Sequence, residues 1–203
     1  YQIWIIAGTL PCPFRPDGSI IDDGRVRTVS LCISPERTEA RYDKIHLFDV
    51  QVSDAVGGYQ ESRFFEPGDE VVVAKTPFGN IGLMVCYDLR FPELSLMLRT
   101  KGANILTAPA AFTYTTGKLH WQLLLQARAM DSQCFVLGAA QQGWHGEQRQ
   151  TWGHAGITDS RGQLLQMIDT EGHGLVTSAF DLDEQNTIRL SMPLMQHRRL
   201  INY

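Results

Sequence analysis

An α/β fold, with a mixed sheet covered by helices, is what this sequence predicts. Several apolar runs are continuous rather than alternating, as strands buried on both faces are. Some of these runs are joined by short turns, the connection of antiparallel neighbours, and others by helical stretches, the connection of parallel ones. No linker, repeat or low-complexity segment divides the 203 residues, so a single domain over 1–203 is expected.

Taken in order, residues 2–10 (QIWIIAGTL) read as a buried strand closed by Gly8, and residues 11–24, dense in Pro, Gly and Asp, as a loop. Residues 25–34 and 38–48 read as two strands joined by "PER" in a hairpin-like connection. Residues 49–70 are long and irregular, a type of segment that often carries function. A second hairpin follows, "VVVAK" and "NIGLMVCYD", with Pro77 and Gly79 in its turn. The period then changes: "FPELSLMLRTKG" places Pro92 where a first helical turn tolerates proline and Gly102 where a helix stops. Residues 104–112 form a buried strand, and residues 117–132 a helix with Trp121, Leu124, Leu125 and Arg128 on one face. "CFVLGAA" is another apolar strand, with shorter strands expected around 154–158, 163–168 and 174–180. An Asp-capped helix over "DLDEQNTIRLSM" closes the chain ahead of Pro193.

Composition narrows the function. The charge of -4 without a basic block argues against nucleic acid as a partner. No apolar run reaches the roughly 18 residues a membrane span needs. Cys12, Cys32, Cys86 and Cys134 are widely spaced and make no C-x-x-C pair, so neither a zinc cluster nor a disulfide framework is expected. The first residues lack the features of a signal peptide, and a cytoplasmic setting fits the thiols. A phosphate-cradling glycine loop, H-E-x-x-H and G-x-S-x-G are all absent. No cofactor and no metal are expected.

"GNIGLMVCYDLRFPEL" (79–94) is the segment in which chemistry is most concentrated. It ends a buried strand on a thiol and then turns polar. A thiol becomes a nucleophile beside a positive charge or a base, and a strand-to-helix turn leaves N–H groups that can serve an oxyanion. An inert buried thiol fits the same pattern. Lys44 in "RYDKIHLFD" ends a strand, and Glu61 and Glu66 sit in the long loop after it. Six histidines, at 46, 120, 145, 154, 173 and 197, offer candidate bases without a signature that singles one out.

Together these segments resemble the nitrilase, or carbon–nitrogen hydrolase, superfamily. "RYDKIHLFD" is similar to the segment carrying that family's catalytic lysine, and "GLMVCYDLRFPEL" to the one carrying its nucleophilic cysteine. "ILTAPAAFTYTTGKLHWQLLLQARAMDSQCFV" and "MPLMQHRR" extend the similarity over essentially the whole chain. The branch it most resembles is that of small-amide hydrolases, including deaminated-glutathione amidases and omega-amidases.

The resemblance implies a four-layer α-β-β-α sandwich, usually paired, so a homodimer or higher homo-oligomer. It implies Cys86 as nucleophile, Lys44 as the lysine that steadies the tetrahedral intermediate, and Glu61 as the second glutamate of the set. The Tyr87 N–H would complete the oxyanion hole, while Arg90 and Glu93 would hold the turn. Arg63, Tyr59, Phe112 and Tyr114 lie in segments that could line a pocket. The implied reaction is hydrolysis of a small carboxamide, deaminated glutathione-like or an omega-amide, through a cysteine acyl-thioester with release of ammonia. Two departures accompany the match. The family's first catalytic glutamate, its general base, lies N-terminal to anything present here, so the domain is expected to be N-terminally incomplete, without its first strands and helix. Gln122 stands where the family often has Glu. Two alternatives stay open: a truncated inactive relative that binds small molecules or partners without catalysis, and an interaction protein in which Cys86 is core.

Overall fold

Antiparallel pairing of alternating segments builds the first sheet of the computed structural model, which describes residues 2–52, 56–169 and 172–200. Strands β1 (Ile5–Cys12), β2 (Arg27–Ile33) and β3 (Thr38–Asp43) lie in that order. Ser30 opposes Tyr42 and Cys32 opposes Ala40, which puts Cys32 and Tyr42 on one inward face, both fully buried. The long irregular segment contains a short pair, β4 (Asp49–Gln51) with β5 (Gly58–Gln60); its residues 53–55 lie outside the described residues.

The second sheet takes β6 (Val73–Thr76), β7 (Gly79–Leu83), β8 (Ile105–Thr107) and β9 (Phe135–Gly138). After a separate hairpin of β10 (Gln142–His145) and β11 (Arg149–Trp152), it adds β12 (Gly156–Thr158) and β13 (Leu164–Met167). The order is β13-β12-β9-β8-β7-β6, with β7, β8 and β9 parallel and the flanking pairs antiparallel. Helix α1 (Pro92–Thr100) connects β7 to β8, and α2 (Tyr114–Ser132) connects β8 to β9, as parallel crossovers require.

Neighbouring residues of β8 show why its sequence reads as an unbroken apolar run. Leu106 joins Met84, Leu98, Trp121 and Leu125 in a core under the helices. Ile105 joins Tyr42, Leu83 and Cys32 in a core between the two sheets. Each such buried side chain contributes about 1.5–3 kcal/mol. Helices, six-stranded sheet and three-stranded sheet thus form an α-β-β stack, three of the four layers the resemblance implies. Two further helices, α3 (Leu182–Ser191) and α4 (Leu194–His197), follow. Asp181 caps α3 as expected, accepting from the N–H groups of Asp183 and Glu184. None of the described helices is long and apolar enough to cross a membrane.

Four expectations need correction. β1 begins later and runs on to Cys12, and it is largely exposed rather than buried. Among the described residues it pairs with β2 alone, so Ile5 and Leu10 face outward at 46% and 49% exposure while Ile6 packs inward. The strand expected over 104–112 is three residues long before the chain leaves the sheet toward α2. Residues 174–180 form no strand: Leu175 is exposed, and the segment is held by Phe180 against Phe135 and by the Thr177 N–H, which donates to Gln166 Oε1 at 2.7 Å. The hairpin β10–β11 lies where no strand was expected.

Candidate active site

Strand β7 stops pairing with β6 at Val73–Gly82, but its line continues through buried Met84, whose N–H donates to the Thr107 carbonyl at 2.9 Å. At Cys86 the chain turns sharply into a 3-10 turn, Cys86–Arg90. Asp88, with no exposed surface, fastens that turn. Its Oδ2 accepts from the Val85 N–H at 2.8 Å and the Tyr42 hydroxyl at 2.7 Å. Its Oδ1 accepts from the His46 N–H at 3.1 Å and lies 2.8 Å from His46 Nδ1. Burial, with the Asp88 charge beside it, pushes the Tyr42 phenol far up, so Tyr42 stays a donor. The His46 ring stacks on Phe91 with centroids 3.6 Å apart. One carboxylate thereby ties the turn to the end of β3.

Cys86 itself holds φ at 51°, in the left-handed region. A non-glycine residue gives up about 1–2 kcal/mol there, and such backbone clusters at functional sites. Its N–H donates to the Pro109 carbonyl at 3.0 Å. Burial pushes the Cys86 thiol up; the Lys44 charge and a hydrogen bond from the Ala111 backbone act in the opposite direction. The upward shift wins, so the resting group is a thiol that has to hand over its proton before it attacks.

Lys44 follows β3 directly. Its N–H donates to the Thr28 carbonyl at 2.9 Å, and its own carbonyl accepts from Gly68 at 2.8 Å. Gly68 can come so close because it lacks Cβ; an added Cβ would sit 2.3 Å from the Asp43 carbonyl oxygen. The side chain is 4% exposed, and Nζ donates to Glu61 Oε2 at 2.5 Å. The same oxygen accepts from the Phe48 N–H at 2.6 Å, which pins Glu61 in place. Beside this pair, Arg15 and Arg27 hold the Glu66 carboxyl down to about 2, chiefly through the Arg15 hydrogen bond. Arg27 also reaches Asp43 at 2.8 Å, bracing the strand that delivers Lys44.

These elements enclose a cavity of about 810 Å³, a size suited to a small organic molecule. Cys86, Lys44, Glu61, Tyr87, Phe112 and Tyr59 all line it, so most of the residues singled out in the sequence come together. Tyr87 occupies the first turn of the 3-10 segment, where helix geometry supplies no internal acceptor for its N–H. Two residues are not brought there. Arg63 is exposed, its guanidinium 5.5 Å over the Phe64 ring, and Tyr114 packs outside against Trp152. Arg90 lies over the Tyr87 and Phe112 rings and touches His120, while Glu93 is exposed in the first turn of α1. Gln122 is also exposed, bonded to Gln126 at 3.2 Å. No histidine is among the lining residues.

Sequence reasoning missed Asp88, Ala111 and Arg149. Asp88 lies within the same "CYD" run as Cys86, and its burial was the missing clue. Arg149 lines the cavity from a hairpin too polar to read as a strand. No group of three or more His, Cys, Asp or Glu side chains among the described residues could hold a metal ion.

Comparison with known proteins identifies the family and the fold. A family model for carbon–nitrogen hydrolases matches residues 1–189. A deaminated glutathione amidase of Yersinia enterocolitica is 42% identical over 202 residues, covering 100% of this chain and 69% of the relative. One from Synechocystis is 43% identical, covering 98% and 71%. Among solved structures, the Caenorhabditis elegans NitFhit protein has a TM-score of 0.86 at 38% identity, covering 98% of this chain and 47% of that one. Saccharomyces cerevisiae Nit3, a member of branch 10 of the nitrilase superfamily, has a TM-score of 0.82 at 28% identity, covering 98% and 68%.

Proposed function

The chain belongs to the carbon–nitrogen hydrolase family, as an amidase-type hydrolase, and we propose that it cleaves the C–N bond of a small carboxamide through an acyl-thioester on Cys86. The observation that carries this proposal is the convergence of Cys86, the Lys44–Glu61 pair and Tyr87 on one cavity.

The Cys86 sulfur attacks the carboxamide carbon and its proton passes to a general base, which the family supplies as a glutamate. The oxygen gains negative charge and is held by Lys44 Nζ and the Tyr87 N–H. A preorganised donor of this sort lowers the barrier by about 3–4 kcal/mol. Glu61 holds the Lys44 ammonium group in position through their hydrogen bond. Collapse of the intermediate breaks the C–N bond, and the base returns the proton to the departing nitrogen, released as ammonia. Water then attacks the thioester, giving its proton to the same base, and releases the acid and the thiol.

A deaminated glutathione-like molecule or an omega-amide is the substrate class this reading favours, supported by the relatives that carry the former name. Pairing into a homodimer or higher homo-oligomer belongs to the same reading and rests on the resemblance alone. A cytoplasmic setting rests on the free cysteines. The test is ammonia release across a panel of small carboxamides by the parent and by Cys86→Ala. The variant should keep its circular dichroism and lose turnover. Residual activity above about a tenth of the parent would count against the nucleophile.

A further inference from the structure

Besides Lys44, the described residues that line the cavity include one other cation, Arg149, and it has no carboxylate partner among the described residues. Lys44 is paired with Glu61, the single acidic residue among them, so Arg149 brings to the lining a positive charge that no described lining carboxylate offsets, in a chain whose net charge is -4. The guanidinium is half-buried and has five N–H donors, of which Nη2 makes a bond of 3.3 Å to the Ala111 carbonyl. Its Nε is fully buried without a hydrogen-bond partner among the described residues. The Nε atoms of Arg99 and Arg128 are also buried without partners, but neither residue lines the cavity.

Arg149 is mounted rigidly. It opens β11, whose Trp152 N–H donates to the Phe112 carbonyl at 3.0 Å, and Thr151 bridges to Thr113. Gly117 admits Trp152 so closely that an added Cβ would lie 2.2 Å from it. Ala111 lines the cavity between the two: its backbone lies beside the Cys86 thiol, while its carbonyl accepts from Arg149. One residue therefore lies between the nucleophile and the guanidinium, an arrangement that suits a short molecule with a carboxamide at one end and an anion at the other. Thr116 and Gln141 flank that end with further polar groups.

We infer that Arg149 is the specificity-determining residue of this site, reading a carboxylate at the opposite end of the carboxamide substrate. The inference rests on the amidase reading above. The guanidinium fork matches a carboxylate in two parallel N–H···O bonds, using donors that the protein leaves unpaired.

The test separates binding from chemistry. Succinamate and its uncharged counterpart butyramide are titrated into Cys86→Ala protein, with and without Arg149→Gln, by calorimetry. Arg149→Gln should weaken succinamate binding about 10- to 100-fold, the range of one charge-assisted contact, and leave butyramide within about twofold. Arg149→Lys, which keeps the charge and loses the fork, should fall between. Unchanged butyramide binding shows that the cavity has folded. If succinamate binds no tighter than butyramide to the Cys86→Ala protein, or if Arg149→Gln weakens both equally, the inference is overturned. Turnover of succinamate by the parent tests the amidase reading separately. If turnover is absent while binding depends on Arg149, that reading fails and the assignment of Arg149 stands.

Discussion

Replacing Asp88 by Asn changes one heavy atom and should loosen the turn that presents Cys86. The carboxylate faces four partners: the Val85 and His46 backbone N–H groups, the Tyr42 hydroxyl and His46 Nδ1. An asparagine offers one acceptor oxygen and one NH₂. With the oxygen toward His46, the NH₂ meets the Val85 N–H; with the oxygen toward Val85, it meets the His46 N–H. The hydroxyl can rotate and the imidazole can change tautomer, but a backbone N–H cannot become an acceptor. Either orientation therefore strands one buried donor, at a loss of about 1–3 kcal/mol, and reduces the surviving bonds from charge-assisted to neutral. A total near 3 kcal/mol follows, which for a slope of about 2–3 kcal/mol/M lowers the urea midpoint by about 1 M. Tyr42→Phe removes one of the four bonds and should cost about 1 kcal/mol, so the variants should rank in that order. Fluorescence-monitored urea denaturation reads both midpoints, and ammonia release reads the effect on Cys86. An Asn variant with its midpoint within about 0.2 M of the parent would refute the claim that these bonds hold the turn.

Lys44→Ala should lower kcat by about 10²–10³-fold with a much smaller change in KM, because the charge it answers develops in the transition state. A change confined to KM would reassign it to ground-state binding. Glu66 titrates at about 2 in the folded chain, below its ordinary 4.5. Its contribution to stability is therefore complete above pH 4.5 and lost as pH falls toward 2. Glu66→Gln should flatten the fall in stability across that window, as measured by urea midpoints at stepped pH; an unchanged slope would remove Glu66 as its source. Gly68→Ala forces a methyl group against the Asp43 carbonyl and should destabilise by about 1–3 kcal/mol while displacing Lys44, so both midpoint and turnover should drop. Iodoacetamide should modify Cys86 ahead of the buried Cys32 and Cys134, faster as pH rises, with loss of activity tracking the label at Cys86 by peptide mass.

Residues with a private apolar environment were legible in advance. The 3–4 spacing of Trp121, Leu124, Leu125 and Arg128, the Pro92 start of α1 and the Asp181 cap each arise from local chemistry that the chain writes out directly. Cys86, Lys44 and Glu61 could be marked individually, and the resemblance supplied the link among them. What escaped was set by distant contacts. The β10–β11 hairpin turns one side toward the cavity and leaves Trp144 62% exposed, so its polar residues never alternate in the way a half-buried strand does. Residues 174–180 have strand-like composition but no neighbour to pair with, and β1 has apolar residues on a face that nothing described here covers. Arg149 is 63 residues beyond Cys86, and only the bridge through Ala111 makes them neighbours.

The left-handed backbone at position 86 also shapes how this protein could change over time. Glycine would rest there without penalty, so the sturdiest version of the molecule at that point is one that cannot form an acyl intermediate. Selection for thermal hardiness alone, with no demand on turnover, would favour erasing the nucleophile. On the proposed mechanism, the strain at position 86 accompanies the placing of a sulfur where it can receive an acyl group.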